Sequence, residues 1–177
     1  LVIALTEILE GPISLIGHSF GGSVAMKAAL RLEDRLESLV LIEPNPFYLL
    51  KAHGRIEAYQ EVSSLGAFVK KFGSQGEWKI VASHFVDYWN GDGAWDSLSE
   101  ERQVTLTNMV KPNFHEWDAV LDGEDDILKW QGFLTRMLII KGSETKRAIS
   151  EIVELLAISI PGLKVWEVPG CGHMLPI

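Results

Sequence analysis

A single serine stands between glycines in residues 17–21, GHSFG. The apolar run ISLIG, residues 13–17, precedes it, and a helical pattern over residues 22–32 follows, so the serine lies where a strand turns into a helix. Glycines on either side of such a turn let the strand and the helix pass closely. The pattern is typical of a nucleophile elbow. We therefore expect Ser19 to be a nucleophile and the backbone N–H of Phe20 to form half of an oxyanion hole.

A serine hydroxyl is a poor nucleophile at neutral pH and needs a neighbouring base. His173 is the strongest candidate, because it follows an apolar stretch within the glycine-flanked loop VPGCGHMLP, residues 168–176. Such a loop can bring an imidazole over the serine, and the base then follows the nucleophile along the chain. His18, beside the serine, is expected to point away from the turn and either to pack or to line a substrate pocket.

The elements that must position these residues alternate between strand and helix. Short apolar runs predict four buried strands, and helical spacing predicts helices between them. This alternation indicates an α/β fold with a parallel sheet and right-handed crossovers. The predicted strands are residues 13–17, 39–42, 136–142 and 163–170, and the predicted helices of this core are residues 1–10, 22–32 and 149–156.

Residues 47–133 break this rhythm, because they contain no convincing strand and read as several helices. The interval is too long for a plain crossover and too patterned for a loop. We expect it to be an inserted helical lid, and residues 1–46 and 134–177 to form the core. The predicted lid helices are residues 54–72, 77–88, 99–110, 113–121 and 124–130.

Four stretches together resemble the α/β-hydrolase fold family, of the bacterial serine-hydrolase type with a helical cap. They are LIGHSFGGSVAMKAALR, LVLIEPNPF, MLIIKGSET and VPGCGHMLP. The resemblance implies that the four strands correspond to strands five to eight of a sheet of about eight strands. The first four strands, and the loop that completes the oxyanion hole, are then expected upstream of Leu1, which is not an initiator methionine.

The acid that orients the base departs from the pattern of this family. The resemblance places an aspartate at the end of the sequence Gly-x-x-Asp, where this chain reads GSET at residues 142–145 and Thr145 cannot carry a charge. Glu43 is the favoured replacement, because certain haloalkane dehalogenases of the same fold place the acid after the earlier strand. Glu144, one residue early, is the alternative, and a site without either acid stays open.

The resemblance implies acyl transfer from a small, largely apolar ester. Trp89 and Trp117 of the lid, with His18, are expected to line the substrate pocket, since aromatic walls suit such a substrate. Thioesters, lactones and carbon–carbon bonds of the β-diketone type stay open, whereas a dehalogenase would need a carboxylate at position 19. Two other functions stay open as well: a ligand receptor with slow or no turnover, and an inactive fragment.

Composition narrows the range of partners. The chain of 177 residues has a net charge of −8, and its Lys and Arg are scattered, which disfavours nucleic acid and anionic membranes. Cys171 is the lone cysteine, so no disulfide or cysteine metal cluster is expected, and a cytoplasmic location fits. The histidines show no H-x-x-x-H or similar spacing, so no other metal site is expected. No cofactor is expected. The first strand would have a free edge, which predicts a homo-oligomer or a missing N-terminal segment.

Overall fold

Four parallel strands form one sheet in the order β1-β2-β3-β4, as the sequence pattern predicted. The computed structural model describes residues 1–176, with the backbone alone for Leu134 and Thr135. The strands are β1 Ile13–His18, β2 Leu36–Ile42, β3 Met137–Gly142 and β4 Lys164–Val168. Because the strands are parallel, their carboxyl ends share one edge, where His18 pairs with Ile42 and Ile42 with Ile140.

Helices connect and cover these strands. The α-helices are α1 Val2–Glu7, α2 Phe20–Leu32, α3 Tyr48–Ala52, α4 Ile56–Gly73, α5 Trp78–Asn90, α6 Glu100–Met109, α7 Asn113–Leu121 and α8 Arg147–Ser159. Short 3-10 helices occupy Glu33–Arg35 and Ile127–Arg136. Helices α3 to α7 all lie between β2 and β3 in the chain, in the interval expected to be a lid. The division into a core and a lid stays a prediction.

Two element predictions differ from the structure. Helix α3 was not expected, because it has only five residues; it is nevertheless buried through Tyr48, Leu49 and Leu50. The segment expected to be an α-helix over residues 124–130 is instead the 3-10 helix that begins after Asp126, whose side chain accepts a hydrogen bond from the Leu128 N–H. Packing onto the core decides both elements.

The core lies between the sheet and the helices that contact it. Helix α2 packs on β1 and β2, and α8 packs on β3 and β4. Trp130 ties the 3-10 helix before β3 to α2, because its indole N–H donates to the Met26 carbonyl at 2.9 Å. The largest fully buried side chains include Trp130, Phe47, Met26, Leu36, Leu39, Leu41, Ile139, Ile149 and Ile152.

Strand β1 has one edge without a partner strand within residues 1–176. The side chain of Ile16, in the middle of this strand, is 73% exposed. Within the same residues, no helix has the length and apolar character that crossing a membrane requires.

Candidate active site

Ser19 lies in a tight turn between β1 and α2, with a backbone φ of 53°. A side chain at Gly17 is impossible in this turn, because a Cβ there would lie 2.2 Å from the Gly21 carbonyl oxygen. The sequence pattern led us to expect that Gly21 is also needed for the close approach of strand and helix. A Cβ at Gly21 would meet no described atom within 4 Å beyond its chain neighbours and its own helix, so of these two glycines it is Gly17 that the close approach requires.

The structure brings His173 and Glu43 together with Ser19. Nε2 of His173 lies 3.0 Å from the Ser19 hydroxyl, and Nδ1 lies 3.1 Å from Oε2 of Glu43. With Glu43 ionised, Nδ1–H donates to the carboxylate, which leaves Nε2 free to accept the serine proton. The hydrogen bonds therefore run in one direction, from the serine through the imidazole to the carboxylate.

Glu43 is held at the carboxyl end of β2 by a dense set of donors. It is fully buried, and its backbone φ of 50° places it in a sharp turn. Oε1 accepts the Gly142 N–H at 2.7 Å, and Oε2 accepts hydrogen bonds from the Thr145 hydroxyl and from His173. These donors fix the position of the carboxylate beside the imidazole.

Glu144 does not share this environment. Its residue is exposed, and its backbone N–H donates to the Cys171 carbonyl at 2.9 Å, so it holds the loop before His173 through its main chain. Of the two acids considered from the sequence, the structure places Glu43 beside the imidazole and leaves Glu144 at the surface.

The imidazole of His173 is buried from several sides. Burial lowers its pKa below the ordinary value, and His18 adds to the shift, whereas the hydrogen bond and charge of Glu43 oppose it. Trp89 stacks on the ring, with centroids 3.7 Å apart and planes 24° apart. A neutral imidazole at ordinary pH is the form that a general base requires.

His18 has a role that the sequence did not indicate. Its Nε2–H donates to the backbone carbonyl of His173 at 2.8 Å, so it fixes the loop that carries the imidazole. It is absent from the residues that line the cavity at Ser19. The expectation that His18 lines the substrate pocket is therefore replaced by a contact with the histidine loop.

A small cavity of about 40 Å³ opens beside the serine. Both tryptophans that were expected in the pocket, Trp89 and Trp117, line it. The full set of lining residues is Ser19, Phe20, Asn45, Phe85, Trp89, Asn113, Glu116, Trp117 and Val120. The walls are mostly apolar and aromatic, with a few polar groups, as is usual for small-molecule sites.

Asn45 is a site residue that the sequence reasoning missed. Its side-chain Nδ2 lies 3.4 Å from the Ser19 hydroxyl, and its Oδ1 accepts the Ser23 hydroxyl at 2.9 Å. The signal was present, because Asn45 follows Glu43 by two residues at the same sheet edge. No group of three or more His, Cys, Asp or Glu side chains within residues 1–176 is arranged to hold a metal.

Comparison with known proteins agrees with this architecture. Over 47 residues the chain is 45% identical to the lipase LipV of Mycobacterium tuberculosis, a match that covers 24% of this chain and 18% of LipV. Among solved structures, the alpha/beta hydrolase MGS-M2 from a deep-sea metagenome library superposes with a TM-score of 0.70 at 14% identity, over 97% of this chain and 62% of MGS-M2. The esterase EaEST of Exiguobacterium antarcticum superposes with a TM-score of 0.67 at 19% identity, over 98% of this chain and 63% of EaEST.

The chain thus spans less than two thirds of the length of these proteins. The sequence model of the alpha/beta hydrolase family matches residues 1–177, the whole of the chain. The parallel sheet and the sharp turn at Ser19 are those that the resemblance implied. On this evidence the chain belongs to the alpha/beta hydrolase family.

Proposed function

We propose that this chain carries the nucleophile, base and acid of a serine hydrolase that acts on small, largely apolar esters. The observation that carries the proposal is the hydrogen-bonded series from Ser19 through His173 to Glu43, with distances of 3.0 Å and 3.1 Å. Such a series is the arrangement by which a neutral hydroxyl becomes a nucleophile.

In the first half of the reaction, the Ser19 oxygen attacks the ester carbonyl carbon while Nε2 of His173 takes the hydroxyl proton. Glu43 stabilises the imidazolium that results. The carbonyl oxygen becomes an oxyanion, which accepts the backbone N–H of Phe20 at the start of α2. Collapse of this intermediate breaks the bond to the alcohol, and His173 returns its proton to the departing oxygen.

In the second half, a water molecule attacks the acyl group on Ser19, and His173 again takes and returns the proton. The products are a carboxylic acid and the free serine. The second oxyanion donor is assigned by resemblance to residues upstream of β1. The helical interval of residues 47–133 serves as the lid that excludes bulk water from this chemistry.

The cavity at Ser19 supports a small substrate. Its volume of about 40 Å³ has room for about three water molecules, so the acyl group that enters it is short. The aromatic walls from Phe85, Trp89 and Trp117 favour apolar groups.

The deciding experiment is the Ser19→Ala substitution in the full natural chain, with p-nitrophenyl acetate as substrate. We expect turnover to fall by at least about 10³-fold while the fold is kept, together with the loss of covalent labelling by a fluorophosphonate. Ser63→Ala is the matched control, because that serine lies in the proposed lid and its hydroxyl donates to the Gln60 carbonyl. More than about a tenth of the activity remaining would contradict the assignment. If the wild type is labelled by the fluorophosphonate but does not turn over the ester, the result would favour a ligand receptor with slow or no turnover.

The remaining proposals concern the surroundings of the protein. We propose a cytoplasmic location, which is supported by the unpaired Cys171. We also propose that the free edge of β1 is covered by upstream residues or by a second copy, since the exposed Ile16 lies on that strand. Light scattering on the 177-residue chain checks this last point, and a stable monomer would contradict it.

A further inference from the structure

An acidic side chain lines the cavity beside Ser19. The residues that α7 contributes to this wall are spaced as one face of the helix, and they are Asn113, Glu116, Trp117 and Val120. The Glu116 side chain is partly buried in this wall. An acid in the first turn of a helix interacts favourably with the helix dipole from any face. The dipole therefore does not account for the place of Glu116 on the face that lines the cavity.

The carboxylate of Glu116 is only half engaged. Its Oε2 accepts a hydrogen bond from the Asn113 amide, and within residues 1–176 it forms no ion pair. Oε1 has no hydrogen-bond donor among the described residues. Solvent nevertheless reaches Oε1, because in that part of the chain the buried polar side-chain atom without a partner is the Trp89 indole nitrogen. A ligand that carries a donor can therefore reach Oε1 as solvent does.

Aromatic rings form much of the remaining wall. Phe85, Trp89 and Trp117 line the cavity, and no Lys, Arg or His is among its lining residues. The faces of aromatic rings attract cations. A carboxylate adds a full negative charge, whose attraction is several times stronger in a partly buried site than in bulk water. The charge and the rings together favour a positively charged group inside the cavity.

The cavity lies on the acyl side of the proposed reaction. It shares its wall with Ser19, whereas a second cavity of about 430 Å³ is lined by His173 and not by Ser19. During acyl transfer the acyl group stays on the serine, and the alcohol leaves with the proton from His173. The smaller cavity therefore suits the acyl group, and the larger one suits the departing alcohol.

We propose that Glu116 and the aromatic rings around it select esters whose short acyl chain ends in an ammonium group. The carboxylate and the ring faces both attract the ammonium. A chain of about three non-hydrogen atoms beyond the carbonyl, as in a β-alanyl group, matches a cavity with room for about three water molecules. This inference rests on the proposed esterase function and narrows its substrate class to short aminoacyl esters.

The test compares p-nitrophenyl β-alaninate with p-nitrophenyl butanoate, which differ by an ammonium in place of the terminal methyl group. At about pH 7 a primary amine of this kind is protonated. The ratio of the two kcat/KM values is measured for the wild type and for Glu116→Gln, after subtraction of uncatalysed hydrolysis. Intrinsic reactivity cancels when the ratios are compared. We expect the ratio to fall about tenfold or more in the variant, as for the loss of a hydrogen bond to a charged group.

Two further variants separate the charge of Glu116 from other effects. Asp118→Asn is the matched control, because Asp118 lies on the same helix but is exposed and pairs with Lys70. It removes the same formal charge and should leave the ratio unchanged. Phe85→Leu removes one ring of the wall and should lower the ratio about two- to fivefold, the range of an exposed cation–π contact.

A second pair of esters tests the side of the reaction. Acetylcholine and 3,3-dimethylbutyl acetate differ by the same kind of charge in the alcohol, and titration of the released acid measures their hydrolysis. An unchanged ratio for the first pair in Glu116→Gln, an equal fall in Asp118→Asn, or a fall confined to the second pair would overturn the proposal. If the wild type hydrolyses p-nitrophenyl acetate and the ratio does not move, only this inference fails. If it hydrolyses none of these esters, the esterase function itself fails.

Discussion

Thr145 donates its hydroxyl to the same carboxylate oxygen of Glu43 that accepts the hydrogen bond from His173. Thr145 occupies the position where the resemblance places the aspartate of the family. The residue at the position of the family's acid therefore contacts Glu43, the acid that we propose for this role. This relationship makes the choice of acid open to experiment.

Glu43→Gln should lower kcat far more than Glu144→Gln. A glutamine at position 43 cannot stabilise the imidazolium and leaves Nδ1 free to adopt the wrong tautomer, which costs up to about 10⁴-fold in triads of this kind. Glu144 is exposed and acts through its backbone, so its substitution should change kcat less than about twofold, as surface changes usually do. Steady-state kinetics with p-nitrophenyl acetate decide the ranking, and the reverse order would move the acid to Glu144.

Thr145→Asp should partly restore the activity of Glu43→Gln. A carboxylate at position 145 would lie close to the place that Oε2 of Glu43 vacates, within reach of the imidazole. In the presence of Glu43, the same Thr145→Asp change should be harmful, because two carboxylates at one buried site cannot both stay ionised at ordinary pH. The double variant should therefore exceed Glu43→Gln in kcat, and failure to do so would show that position 145 cannot reach His173.

If His173 is the base, its pKa should set the acidic limb of the pH dependence of kcat/KM. Burial lowers this pKa below about 6.5, the ordinary value for histidine. The imidazole therefore stays neutral just below about pH 6.5, and kcat/KM should persist there. Below that pH, His173 binds a proton in the unfolded chain but not in the folded state. The free energy of unfolding should therefore fall as the pH drops from about 6.5 toward the folded-state pKa. Urea unfolding of wild type and His173→Gln at several pH values checks this, and a constant difference between them would contradict it.

Gly17→Ala and Gly21→Ala should have opposite effects on stability. A methyl group at position 17 would collide with the Gly21 carbonyl, and we expect a loss of about 3 kcal/mol in the free energy of unfolding. Position 21 lies in α2 with open space around it among the described residues, so alanine should add about 0.5–1 kcal/mol. Urea denaturation measures both, and a destabilised Gly21→Ala would indicate that residues outside the described range pack there.

Asn45→Asp should slow the reaction of the serine. The Ser23 hydroxyl donates to Oδ1 of Asn45, which turns the amide N–H toward Ser19 and leaves the serine proton to His173. A carboxylate would instead accept that proton and compete with the base. We expect kcat and the rate of fluorophosphonate labelling to fall about tenfold or more, the loss of more than one neutral hydrogen bond. Ser23→Ala should have a smaller effect in the same direction, and unchanged labelling in both would exclude this role.

The sequence by itself determined the parallel α/β sheet, the turn at Ser19 and the family. These depend on local signals, namely the strand-to-helix period and the glycine at position 17, and the parallel sheet then places the strand ends at one edge. The sequence also predicted the loop that carries His173, because glycines flank this residue after the last strand. The short helix α3 and the 3-10 helix before β3 escaped prediction, since packing rather than periodicity forms them.

The tertiary structure decided which polar side chains meet. Whether Glu43 or Glu144 faces the imidazole depends on the register between β2 and β3, in which Ile42 pairs with Ile140. No local sequence pattern encodes this register. The contact of His18 with the histidine loop and the amide of Asn45 at the serine likewise join residues distant in the chain. Spacing along the sequence identifies candidate groups, but only the packing of strands, loops and helices fixes the distances and directions of their hydrogen bonds.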